Sequence, residues 1–103
     1  MIKTKQLFEF LKKNNIDFFS GVPDSILKKT SYYLEKRNVQ NIVAANEGAA
    51  AAICMGYYLS TQKIACLYLQ NSGLGNAINP LTSISHEKVY SIPMLILVGW
   101  RGA

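Results

Sequence analysis

Charge is scarce in this chain. Asp, Glu, Lys and Arg make up 17% of its 103 residues, against about 25% in ordinary soluble domains. The shortage is concentrated, because between Arg37 and His86 the charged residues are Glu47 and Lys63 alone. A stretch so poor in charge is built to be buried, and it holds one carboxylate. Histidine is rarer still, with His86 as the sole example. With no Gly-x-Ser-x-Gly elbow beside it, this argues against a Ser-His-Asp hydrolase. Two cysteines, Cys54 and Cys66, make no disulfide framework, and with a single histidine they make no zinc site of ordinary spacing. Their apolar neighbours mark them as small buried hydrophobes. No apolar run reaches the about 20 residues that cross a bilayer; Ala49 to Leu59 and Ile92 to Trp100 both fall short. The lysine-bearing segment Met1 to Asn15 lacks the continuous apolar core and small-residue cleavage site of a secretory signal, so a cytoplasmic protein is expected.

What is present describes one small globular domain. Half the residues are hydrophobic and 11% are aromatic, which rules against intrinsic disorder. The net charge of +5 comes mostly from Lys3, Lys5, Lys12, Lys13, Lys28, Lys29, Lys36 and Arg37. These fall at helical spacings opposite apolar residues, as on a solvated face, so neither nucleic acid nor membrane is an expected partner. A basic chain is compatible with a small anionic substrate.

The hydrophobic spacing predicts an amphipathic helix over Thr4 to Asn14, with Leu7, Phe8 and Leu11 on its apolar stripe and a stop at Asn14-Asn15. Ile16 to Phe19 reads as a short buried strand. Gly21-Val22-Pro23-Asp24-Ser25 reads as a turn that starts a second helix, running to about Arg37. Asn41 to Ala45 is the next strand. Asn46 is a good N-cap for a helix over Glu47 to Ser60, which is apolar nearly all round and therefore expected to be buried. Lys63 to Leu69 is a strand, and Gln70 to Gly75 a polar loop. A further helix is interrupted near Asn79 by Pro80, and Pro93 to Val98 is the last strand. The order α-β-α-β-α-β-α-β, with near-continuous apolar strands, predicts an α/β fold: an open, doubly wound parallel sheet with helices on both faces.

Ligands of such sheets gather at the carboxyl ends of the strands. The residues there are Gly21 to Ser25, Asn46-Glu47, Gln70 to Asn76, and Gly99 to Gly102, so the unusual polar residues converge on one edge. Glu47 can be explained as a first-turn carboxylate complementing the helix dipole. Gly48 and Ala49 to Ala52 follow it, however, and leave room for another chain or a flat ligand to approach. A carboxylate in so dry a place is also a group whose proton affinity can serve acid-base chemistry. The loop Gln70-Asn71-Ser72-Gly73-Leu74-Gly75-Asn76 could cradle an anion. It is not a G-x-G-x-x-G fingerprint, because Ile78 stands where the third glycine belongs. Asp24 and Ser25 are helix-capping types, and Arg101 could meet an anion at the same edge. A non-catalytic α/β module that pairs with a partner subunit, and an anion or nucleotide binder using Gly73 and Gly75, remain alternatives.

Gly21-Val22-Pro23-Asp24-Ser25, Asn46-Glu47-Gly48-Ala49-Ala50 and Gln70-Asn71-Ser72-Gly73-Leu74-Gly75-Asn76, in this order and spacing, resemble the pyrimidine-binding domain of thiamine-diphosphate-dependent decarboxylases over essentially the whole chain. With the run from Ile92-Pro93-Met94-Leu95 to Gly99-Trp100-Arg101-Gly102, the likeness is greatest to the phosphonopyruvate enzymes, with the sulfopyruvate enzymes next. The resemblance implies that Glu47 hydrogen-bonds the cofactor's aminopyrimidine and stabilises the imino tautomer that takes the thiazolium proton. It implies that Asp24 and Ser25 face the substrate, and that Gln70, Asn71, Ser72 and Gly73 line the cofactor cleft. The implied reaction is loss of CO2 from a 2-oxo acid, phosphonopyruvate giving phosphonoacetaldehyde. The sulfopyruvate enzyme's alpha-type subunit is the alternative. The family also needs Mg2+ and a diphosphate-binding module with a Gly-Asp-Gly segment, which this sequence lacks. Residues 1–103 are therefore expected to be the N-terminal part of a pyrimidine-binding domain, as a fragment, a truncated product or a split subunit. Such a chain would be inactive alone and would act with a second module or subunit in a homo-oligomer.

Overall fold

The computed structural model describes residues 3–23, 28–37, 39–73, 86 and 91–99. Helix α1 (Thr4–Lys13) forms where Phe8 and Leu11 can be buried on one side while Lys5, Lys12 and Lys13 stay in water. Lys12 and Lys13 lie in the last turn, where cations complement the carbonyl end of the helix. Asn15 then takes a left-handed φ of 60°, one of the few residue types that does so at modest cost. The Ile16 N–H reaches back to the Leu11 carbonyl at 2.9 Å. That bond commits Ile16 to ending α1, so strand β1 is Phe18–Gly21, two residues later than the hydrophobic run suggests. Asp24 and Ser25 lie outside the described residues, as do the expected helix around Pro80 and Arg101.

Helix α2 (Lys28–Arg37) leads to β2 (Gln40–Val43), helix α3 (Glu47–Thr61) to β3 (Cys66–Gln70), and β4 (Leu95–Gly99) follows. The sheet order is β2-β1-β3-β4, and every pair is parallel. This is the open, doubly wound α/β sheet the pattern predicts. Strand β3 starts at Cys66 because Lys63 and Ile64 remain exposed beyond the ladder. It ends at Gln70, which pairs with Gly99.

Alternation along the inner strands sends side chains to two separate cores. Phe19, Cys66 and Tyr68 join Phe8, Leu11 and Leu34 under α1 and α2. Phe18, Leu67 and Leu69 join Ala44, Ala50, Ala51, Cys54, Ala65 and Ile92 under α3. Both cysteines are free and buried. Burial pushes the Cys54 thiol up to about 12, and it raises Cys66 as well, so neither offers a thiolate near neutrality.

Helix α3 corrects the expectation of all-round burial. Ala50, Ala51 and Cys54 are buried against the sheet, while Ala52, Gly56 and Leu59 are exposed, Leu59 by 55%. The described part of the chain covers one side of this apolar helix and leaves the other open. No helix among the described residues is long and apolar enough to cross a membrane.

Candidate functional site

From β1 the chain steps outward to β2 and then crosses back over β1 to β3, so the strand order reverses between β1 and β3. Helix α3 makes that crossing, packed on β1 and β3. Its N-terminus therefore emerges at the carboxyl ends of the strands, where such sheets hold ligands. The Ala44 N–H donates to the Gly21 carbonyl at 2.9 Å, fixing the exit of β2 beside the exit of β1. Asn46 is extended (φ −154°, ψ 170°), and its Oδ1 accepts the Ala49 N–H at 2.9 Å. This is the N-cap anticipated from its residue type. The cap sets where the first turn begins and so sets the base of Glu47.

Glu47 is half-buried in that first turn. The chain leaving β3 folds into a short 3-10 turn, Asn71–Gly73, which runs back toward α3 and buries Gly73. A methyl group built on Gly73 would lie 2.7 Å from Glu47 Cδ and 2.8 Å from Cγ, far inside van der Waals contact. The carboxylate is thus seated against the bare backbone of the turn. Glu47 and Gly73, 26 positions apart in the sequence, meet at this point. Gln70 is half-buried and Ser72 exposed beside it. Asn71 lies on the same turn.

The Glu47 side chain covers the Gly73 end of this loop, and residues 74–76 lie outside the described residues. Among the described residues no group of three or more His, Cys, Asp and Glu is arranged to hold a metal ion.

A second close approach had no signal in the sequence. A Cβ on Gly21 would stand 2.6 Å from Tyr68 Cε2. The missing side chain lets the buried Tyr68 ring pass over β1, and its hydroxyl donates to Asn41 Oδ1 on β2 at 2.8 Å. Burial raises the Tyr68 pKa. This strut lies on the α1/α2 face, while the Ser20 hydroxyl donates to the Ile42 carbonyl at 2.7 Å. Both ties brace β2 against its neighbours just before α3 begins.

Residues 2–103 match the family model described as thiamine pyrophosphate enzyme, N-terminal TPP binding domain. The chain is 41% identical over 97 residues to sulfopyruvate decarboxylase subunit alpha of Methanocaldococcus jannaschii, covering 93% of this chain and 56% of that protein. It is 34% identical over 103 residues to phosphonopyruvate decarboxylase of Streptomyces hygroscopicus, covering 99% of this chain and 25% of that one. The chain thus spans little more than half of the first relative and a quarter of the second. Among solved structures, benzoylformate decarboxylase from Polynucleobacter necessarius superposes with a TM-score of 0.80 at 25% identity, over 96% of this chain and 18% of the other.

Proposed function

This chain belongs to the thiamine pyrophosphate enzymes through their N-terminal TPP binding domain, and from that premise we propose that it is the aminopyrimidine-contacting part of a 2-oxo acid decarboxylase, with Glu47 as its catalytic residue. The observation that carries the proposal is the seat of the Glu47 carboxylate against Gly73 at the reversal of strand order. The residues there suit the cofactor. A carboxylate is an acceptor for a protonated ring nitrogen, and half-buried Gly48 and Ala49 interpose no large side chain between it and a flat ring.

Thiamine diphosphate, when bound, supplies the electron sink that lets a 2-oxo acid lose CO2. Glu47 would accept a hydrogen bond from the aminopyrimidine of the bound cofactor and would hold or release a proton at its carboxylate oxygen. The N-cap at Asn46 sets the backbone position from which Glu47 extends. Gln70, Asn71, Ser72 and Gly73 are assigned to the cofactor side on the strength of the sequence resemblance, and Asp24 and Ser25 to the substrate side. The diphosphate with Mg2+ is assigned to a second module or subunit, in keeping with relatives that are named as alpha subunits.

The substrate class is a 2-oxo acid carrying a second strong anion. Identity is higher to the sulfopyruvate alpha subunits, at 41% and 37%, than to the phosphonopyruvate enzyme at 34%. Sulfopyruvate therefore becomes the first substrate to test, and phosphonopyruvate the second.

The test is decarboxylation of each oxo acid by the full-length natural protein assembled with its partner, with and without thiamine diphosphate. Glu47→Ala should lower kcat/KM by about 10²–10⁴, the usual worth of a positioned acid-base group, with folding kept. Wild-type turnover by a folded Glu47→Ala protein would refute the proposal.

A further inference from the structure

We infer that Gly73 is a positioning residue whose missing side chain fixes where the Glu47 carboxylate sits. A glycine after a strand is ordinarily explained by backbone freedom, since it alone enters left-handed φ at no cost. That explanation does not apply here. Gly73 belongs to the 3-10 turn Asn71–Gly73, and its φ lies outside the left-handed range in which an L side chain would be strained. The backbone would accept alanine. What alanine would meet is Glu47, whose Cδ and Cγ stand 2.7 and 2.8 Å from the new Cβ.

The nearest atoms belong to the far end of a flexible side chain, so relief is available. Glu47 can rotate about its χ angles and leave the seat without the turn changing its path. The consequence falls on direction, because the carboxylate no longer points where the N-cap at Asn46 and the turn at Gly73 together aim it. Catalytic geometry tolerates such displacement poorly, since a shift of about 1 Å can cost about 10²-fold. Gly73 touches no reacting atom in this account and acts through Glu47. The functional half of the inference rests on the reading of Glu47 given above, while the structural half does not.

Two measurements on the full-length natural protein with its partner separate these halves. The first is a crystal structure of Gly73→Ala without cofactor, in which the Glu47 carboxylate should be displaced by about 1 Å or more while the turn keeps its path. A carboxylate still in the wild-type position overturns the inference, whatever Glu47 does in catalysis. The second is a double-mutant cycle on the Kd for thiamine diphosphate and on kcat. Gly73→Ala alone should weaken binding or turnover by about tenfold or more, and in a Glu47→Ala background it should change neither by more than about twofold, because no carboxylate remains to displace. An equal loss in both backgrounds would make Gly73 a turn former only and overturn the inference. If Gly73→Ala alone does not fold, Gly73→Ala with Glu47→Ala should fold normally, and failure of both also overturns it. If Glu47→Ala itself leaves Kd and kcat at wild-type values, the decarboxylase reading fails, and the crystal structure alone decides the positioning role.

Discussion

On the face covered by α1 and α2 the core is made of rings and large aliphatics: Phe8, Phe19, Tyr33 and Tyr68 with Leu11 and Leu34. Phe8 stacks on Tyr33 with centroids 4.7 Å apart and tilts against Phe19 at 5.6 Å. On the face covered by α3 the strands contribute large residues too, Phe18, Leu67 and Leu69, with Ile92 beside them, but the fully buried positions of the helix itself are small: Ala50, Ala51 and Cys54. One face fills its volume with large side chains and ends in water behind exposed Lys5 and Lys12. On the other, the first turns of the helix meet the sheet through small residues, Tyr57 stacks on Phe18 at 4.0 Å further along, and exposed apolar positions remain on the far side. Packing on β1 and β3 sets where α3 begins, and so sets the base of Glu47 at the ends of both. The first face therefore carries mostly stability, and the second carries the geometry of the site.

The largest expected effect in this comparison comes from the aromatic face. Phe19 is 1% exposed between Phe8 and the sheet. Phe19→Ala should cost about 3–5 kcal/mol of stability, from lost burial plus the cavity left behind, as read by denaturant unfolding of the full-length protein. Turnover per folded molecule should stay within about threefold of wild type. A stable Phe19→Ala protein with the turnover of Glu47→Ala would erase the division between the faces.

The alanine face should respond in the opposite sense. Ala51 is fully buried under α3, so Ala51→Leu adds volume where none is free and should cost about 1–3 kcal/mol by overpacking. Relief comes most readily by lifting α3, which moves Glu47. Activity should then fall by more than the loss of folded protein explains, measured as kcat per cofactor-bound site. A loss of stability with unchanged kcat would mean that the helix start is held by Asn46 and Gly73 alone.

This division was partly legible beforehand. Residue types declared the start of α3: Asn46 was expected to cap and its Oδ1 does accept the Ala49 N–H. The parallel sheet followed from apolar strands alternating with helices. Strand starts were less legible, because hydrophobicity does not reveal which amides are already committed; Ile16 looks like strand until its N–H is found bonded to Leu11. The open outer side of α3 is not legible in the sequence, because an apolar helix reads alike whether its second side is covered by its own chain or not. The least legible features were the two glycines. Gly21 reads as part of a turn and Gly73 as part of a ligand-cradling loop, and each is also needed for a close contact with a residue distant in sequence, Tyr68 and Glu47.

The smallest expected effect concerns the Tyr68 strut and probes the comparison most finely. Tyr68→Phe keeps the ring over Gly21 and removes only the hydroxyl that donates to Asn41. Asn41 is half-buried rather than sealed, so water can replace part of the lost bond, and the cost should be about 0.5–1.5 kcal/mol. Because the strut lies on the α1/α2 face, kcat should be unchanged within error. The same substitution made with Asn41→Ala should add little to the stability loss, since the two groups form one bond. A measurable drop in kcat for Tyr68→Phe would show that strain in β2 reaches Glu47 through the short link from Val43 to Asn46, and the faces would then be coupled where β2 hands over to α3.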